Sequence, residues 1–106
     1  MALKRFGFIV TGSGLDPAIH RLEMRSPTFT MVAVGIPRAE DAPAVARELV
    51  AEGVELLELC GGFGPLGAAR VLEAIDGAVP VGAVGYGPES IDALYRLFAP
   101  AERQVC

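Results

Sequence analysis

Apolar and polar positions in this chain switch between a two-residue and a three-to-four-residue period, and each switch marks an element. Phe6-Gly7-Phe8-Ile9-Val10 is a continuous apolar run, as in a strand covered on both faces by helices. Thr11-Gly12-Ser13-Gly14 ends it in a flexible turn. Asp16-Pro17-Ala18-Ile19 then reads as a helix start, with Asp16 capping and Pro17 at the first helical position. His20-Arg21-Leu22-Glu23-Met24-Arg25 alternates as an edge strand does, although Ile19 and Leu22 also suit a short helix. The preferred reading is a helical turn that becomes extended before Ser26-Pro27, because a residue preceding proline avoids the helical region.

Thr28 to Gly35 is β-branched and aromatic and predicts the second strand. After the connection Ile36-Pro37-Arg38-Ala39, Glu40 and Asp41 sit where acidic residues favour a helix N-terminus. That helix carries Ala42, Val45, Ala46 and Leu49 on one stripe, and Gly53 stops it. Val54 to Cys60 is a third strand, apolar on both faces and therefore expected in the middle of a sheet. It runs straight into the glycine-rich turn Gly61-Gly62-Phe63-Gly64-Pro65. A helix from Pro65 to Asp76 follows, with Leu66, Ala69, Leu72 and Ile75 as its expected buried stripe and Gly77 as its stop. Pro80 to Gly85 is a fourth strand. Tyr86-Gly87-Pro88 leads into a last helix whose Ile91, Leu94, Tyr95 and Phe98 should face inward and which Pro100 ends, leaving Ala101 to Cys106 as a loose tail.

The alternation from Thr28 onward predicts one α/β domain over residues 1–106, with about four mostly parallel strands and helices packed on the sheet. It is half-barrel-like or a small open sheet. In either, the glycine turns after Val10, Cys60 and Val84 collect at the carboxyl ends of the strands, where such sheets bind ligands.

Composition adds a partner. The 106 residues are 52% hydrophobic and 21% charged, and a mean hydropathy of +0.44 is high for so small a chain. Apolar surface buried against a second copy accounts for the excess, so a homodimer or higher oligomer is expected. A net charge of −4, with scattered basic residues, argues against nucleic acid. No apolar run approaches the roughly 18 residues of a membrane span, so no membrane partner is expected. The N-terminus lacks a signal-peptide layout, and two cysteines, Cys60 and Cys106, make no disulfide framework; both point to a reduced, cytoplasmic setting.

Candidate chemistry centres on the glycine turn. Gly62-Phe63-Gly64-Pro65-Leu66-Gly67 matches G-x-G-x-x-G between a strand and a helix. The dinucleotide reading is poor, because Pro65 removes a donor and no acidic residue ends the next strand; no cofactor is expected. A small anionic metabolite held by the N–H groups of Gly61 to Leu66 fits better, with Gly61, Gly62, Phe63, Gly64 and Tyr86 as candidate ligand-binding positions. The competing reading is that the glycines merely permit a tight turn.

Glu58 interrupts the apolar face formed by Val54, Leu56 and Cys60. Buried there, its carboxylate must be paired, hydrogen-bonded or protonated, which makes it a candidate acid/base or polar anchor; a structural carboxylate weighs equally. Cys60 is a candidate thiolate close to a helix N-terminus, against the commoner role of a small buried core residue. His20 is the sole histidine and a further catalytic candidate. It excludes a histidine-based metal cluster, and a mixed site from His20, Glu23, Glu58 and Cys60 has no supporting spacing, so no metal is assigned. Arg21 and Arg25 read as a solvated or inter-subunit charge face. Ser13 lacks a nucleophile-elbow context.

Two resemblances follow. The run Glu52 to Leu59, the acidic helix after it and the strand Pro80 to Gly85 are similar to part of an aldolase- or decarboxylase-type barrel over Ala42 to Gly85. Lys4, the only lysine, precedes the first strand, so Schiff-base chemistry is excluded. The segment Glu58-Leu59-Cys60-Gly61-Gly62-Phe63-Gly64-Pro65, with Val32 to Gly35 before it and Pro80-Val81-Gly82 after it, resembles a bacterial family, the domain of unknown function 6506 family, over almost the whole chain. That resemblance implies a bacterial protein of about this length and carries no activity or catalytic residue with it.

Overall fold

In the computed structural model of the protein, residues 2–99 are described. The strands are β1 (Arg5–Thr11), β2 (Arg21–Ser26), β3 (Phe29–Ile36), β4 (Leu56–Leu59) and β5 (Val81–Ala83); the helices are α1 (Ala42–Ala51), α2 (Gly64–Ala74) and α3 (Ile91–Phe98). Short 3-10 turns at Ala39–Asp41 and Pro88–Ser90 lead into α1 and α3. The strands form one sheet in the order β2-β3-β1-β4-β5. All neighbours are parallel except the β2–β3 pair. The sheet is therefore open, with β2 and β5 as its edges, and it is not an arc of a barrel.

The fifth strand is the alternating stretch after Asp16. The helical turn forms as its sequence suggests: Asp16 Oδ1 accepts the Ala18 N–H at 2.9 Å, and the Asp16 carbonyl accepts the His20 N–H at 2.7 Å. The chain then extends into β2, pairs antiparallel with β3, and turns through Pro27-Thr28 alone. The middle of the sheet falls to β1, and β4 lies one place aside between β1 and β5. Phe6 to Val10 is uninterruptedly apolar although only its Gly7 and Ile9 side is buried in the core, contrary to the expectation of helices on both faces.

Topology decides which face is covered. From β3 the chain passes over β1 to β4, and from β4 on to β5, so both helical crossovers travel in one direction. Crossovers of one hand and one direction put their helices on one face; α1 and α2 do pack against each other. The step from β1 to β3, which goes the other way, is made by the β2 hairpin and supplies no helix. The core lies between the sheet and α1/α2: Ile9, Val32, Val34, Ile36, Leu57 and Leu59 from the strands meet Val45, Leu49, Val71 and Ile75. The opposite face, carrying Phe6, Phe8, Leu22, Met24, Met31 and Leu56, has neither of these helices over it.

The buried stripe of α1 is Ala42, Val45, Ala46 and Leu49, as the periodicity predicts, and Gly53 at φ +100° ends the helical run. The stripe of α2 differs from expectation. Phe63, Gly67, Val71 and Ile75 face the core, while Leu66 is 71% exposed and Leu72 42%. Steps of three drift about 60° backward round a helix and steps of four about 40° forward, so both stripes are eligible from sequence. Phe63, buried as the chain leaves β4, selects the second. The last helix also departs from expectation. In α3, Ile91, Tyr95 and Phe98 are exposed and Leu94 is half-buried, because the helix stands at the sheet's carboxyl edge rather than on the core. Pro100, the tail and Cys106 lie outside the described residues.

Candidate functional site

The chain leaves β1 toward β3 and leaves β4 toward β5, so the two neighbouring strands diverge at their carboxyl ends. Divergence of this kind opens a crevice, and open α/β sheets bind their ligands in it. Here the crevice is a cavity of about 510 Å³ lined by Val10, Thr11, Cys60, Gly61, Gly62, Tyr86, Leu94 and Phe98. The end of β1 supplies Val10 and Thr11, the turn after β4 supplies Cys60, Gly61 and Gly62, the loop after β5 supplies Tyr86, and α3 closes one side.

The Cys60 sulfur is the chemical centre of this cavity. A parallel ladder between β1 and β4 continues through the Cys60 N–H to the Ile9 carbonyl, at 3.2 Å, and then stops as β4 turns away. The next β1 donor, the Thr11 N–H, points instead at Cys60 Sγ, at 3.3 Å. Thr11 Oγ1 lies a further 3.3 Å from the same sulfur. Partial burial pushes the Cys60 thiol up, while the Thr11 hydroxyl and the N–H groups of Thr11 and Gly62 bring it down, and the net result lies below its ordinary value. These donors stabilise a thiolate without any cationic side chain, much as N–H groups at a helix start do.

The glycines have specific reasons. A Cβ at Gly61 would stand 2.7 Å from the Tyr86 ring, and one at Gly62 would stand 2.8 Å from Thr11 Oγ1. Both residues are thus small because neighbouring groups of the cavity close on them. A Cβ at Gly67 would likewise stand 3.0 Å from the Phe63 Cβ one turn earlier. Gly64 takes φ +64° with open space around it.

Of the candidates from sequence, Cys60, Gly61, Gly62 and Tyr86 are brought together in the cavity. Phe63 is in the core, and Gly64 starts α2 outside the lining. Glu58 stands on the bare face of the sheet between Phe8 of β1 and Gly82 of β5, and it is exposed. Burial would have forced its carboxylate into a partnership; with no helix over that face, the condition is absent. His20 is exposed beside β2, its Nδ1 accepting the Asp16 N–H at 2.8 Å. It borders a separate hollow of about 290 Å³ with Leu15, Ile19, Leu22 and Ala33. Among the described residues no three His, Cys, Asp or Glu side chains gather as metal ligands would. Arg21 pairs with Glu52 and Arg25 with Glu23, so neither arginine reaches the glycine edge.

Thr11 and Val10 carry no site assignment from sequence, and Leu94 and Phe98 carry only that of an inward helix stripe. A threonine closing a strand immediately before Gly12 was a usable signal for the first, once β1 and β4 are known to be neighbours.

Fold and site define a small α/β protein with a one-sided helical layer and a thiol-bearing crevice at the point where its strands diverge. The chain belongs to the DUF6506 family, a family of unknown function, whose model matches residues 4–99. Neither the comparison with curated proteins nor that with solved structures gives a match. No helix among the described residues is long and apolar enough to cross a membrane.

Proposed function

We propose that this protein binds a small metabolite in the Cys60 cavity. The observation that carries the reading is the placement of a stabilised thiol and a glycine turn in one cavity, at the crevice between diverging strands. The lining has no cationic side chain. An anionic or carbonyl end of the ligand is therefore held by the Gly61 N–H, and its body lies against Val10, Tyr86, Leu94 and Phe98. Cys60 is the strongest nucleophile among the lining residues, and it is the group to which any catalysis would fall. The protein works in the reducing cytoplasm of a bacterium, where the thiol stays free.

A thermal-shift screen against small carboxylates and phosphorylated metabolites tests this. A ligand at a hundredfold excess over its Kd raises the midpoint on the order of 10 °C. Gly61→Val, which fills the cavity and displaces Tyr86, abolishes that shift, whereas Glu58→Gln leaves it intact. Stabilisation that survives Gly61→Val rules the cavity out.

A second reading is a non-enzymatic homo-oligomer, a scaffold or regulatory module in which the glycines are structural. The bare apolar face of the sheet favours it. Cys60 then serves only as the cap of the β1 ladder, and sedimentation shows an assembly that no small molecule perturbs.

A further inference from the structure

The polarity of β2 is inverted for a strand at the bare edge of a sheet. All six of its residues are exposed. Its charged side chains, Arg21, Glu23 and Arg25, stand opposite Val34, Val32 and Thr30, on the side that α1 covers, and Arg21 reaches Glu52 at the end of α1. Its apolar residues, Leu22 and Met24, project to the face without helices, where they are 74% and 64% exposed. A solvent-facing strand does the reverse. The registers extend these positions into two apolar rows: Met24, Met31, Phe6 and Leu56 across four strands, and Leu22, Ala33 and Phe8 across three. The second row ends in Glu58 and Gly82, so the patch has its apolar centre at β2, β3 and β1 and a polar rim toward β5.

We infer that this face is the contact between two copies of the chain, related by a two-fold axis, with Leu22 and Met24 near its centre. This deepens the oligomer reading above and rests on it. Two features of the chain select a second copy as the occupant. One is area: five strands about 4.8 Å apart, of seven, six, eight, four and three residues, present on the order of 450 Å² in plan. Side-chain relief brings that face near the roughly 800 Å² per partner of a standard interface. The other is that the chain carries a second unpartnered apolar surface, that of α3, where Ile91, Tyr95, Leu97 and Phe98 are exposed. The Leu94 and Phe98 side chains reach the cavity at Val10, and the hollow beside Leu22 and Ala33 also reaches Val10. Helix and sheet thus form one continuous apolar surface. A patch of this size is rare on a monomer, and a two-fold pairing covers it on both copies at once and closes the assembly.

Analytical ultracentrifugation of the full chain across the micromolar range, with circular dichroism as the check on folding, tests the assignment. The unaltered chain sediments as a dimer. Leu22→Lys with Met24→Lys gives a folded monomer, the milder Met24→Gln raises the dimer dissociation constant at least tenfold, and Leu66→Lys, an equally exposed position on the outside of α2, leaves the dimer unchanged. A monomeric unaltered chain overturns both this surface and the oligomer reading. A dimer that withstands the β2 substitutions overturns the surface alone.

Discussion

Cys60 shows how one side chain takes on two jobs at the end of a strand. Its sulfur receives the Thr11 N–H that the β1–β4 ladder leaves over, and in doing so it acquires the donors that hold a thiolate. The thiol therefore titrates below its ordinary value. The rate of alkylation by a small haloacetamide follows the thiolate, so its midpoint lies below that value. Thr11→Val removes the hydroxyl and moves the midpoint up, and Gly62→Ala does the same by crowding Thr11 Oγ1. A midpoint unmoved by Thr11→Val would show that the hydroxyl does not govern the sulfur. The linkage runs the same way. A folded-state value below the unfolded one contributes stability above the unfolded pKa and loses it as pH falls through the folded one. Cys60→Ser removes that contribution.

At the scale of elements, periodicity was informative wherever one stripe stood alone. The four apolar positions of α1 are buried as spaced, with Arg47 and Glu48 exposed on its other side. In α2 two stripes compete, and the entry of Phe63 into the core decides between them. The energetic consequence is specific: Leu57→Ala, at a fully buried β4 position, costs about 2–5 kcal/mol in denaturant unfolding. Leu66→Ala, on the stripe that stays outside, changes stability by no more than about 0.5 kcal/mol. A large loss at Leu66 would mean that α2 is rotated or covered by a partner on its outer side. The same limit explains Glu58. Its alternation within the strand is legible, but whether its face is dry depends on where the crossovers travel.

Across the whole molecule, the chain's beginning is tied to its middle by Glu55, whose carboxylate accepts the N–H groups of Lys4 at 2.8 Å and Arg5 at 3.0 Å as β1 starts. The Lys4 N–H, then that of Arg5, holds the Glu55 carboxyl below its ordinary value, and the hydrogen bonds of Arg21 do the same for Glu52. Both shifts are downward, so both contributions are complete above the unfolded carboxyl pKa and fade as pH falls through the folded values. Stability measured by urea unfolding declines on acidification below about pH 4.5, and Glu55→Gln shallows that decline while lowering stability at neutral pH. An acid limb identical in the variant would assign the decline to other carboxylates.

The sequence by itself determined the element order after Thr28, the α1 stripe, the strand-to-glycine-turn joint at Cys60 and the collection of glycine turns at one edge. These are local: propensity, capping and period act over a few residues, and each agrees with the fold. Only the tertiary structure decided that β1 is the middle strand, that β2 is an edge strand with its apolar side outward, and that Thr11 lies against Cys60. Those facts depend on which strands become neighbours, a choice made by the direction and hand of the crossovers rather than by any single segment. Because both helical crossovers run one way, one face of the sheet is core and the other is left for a partner.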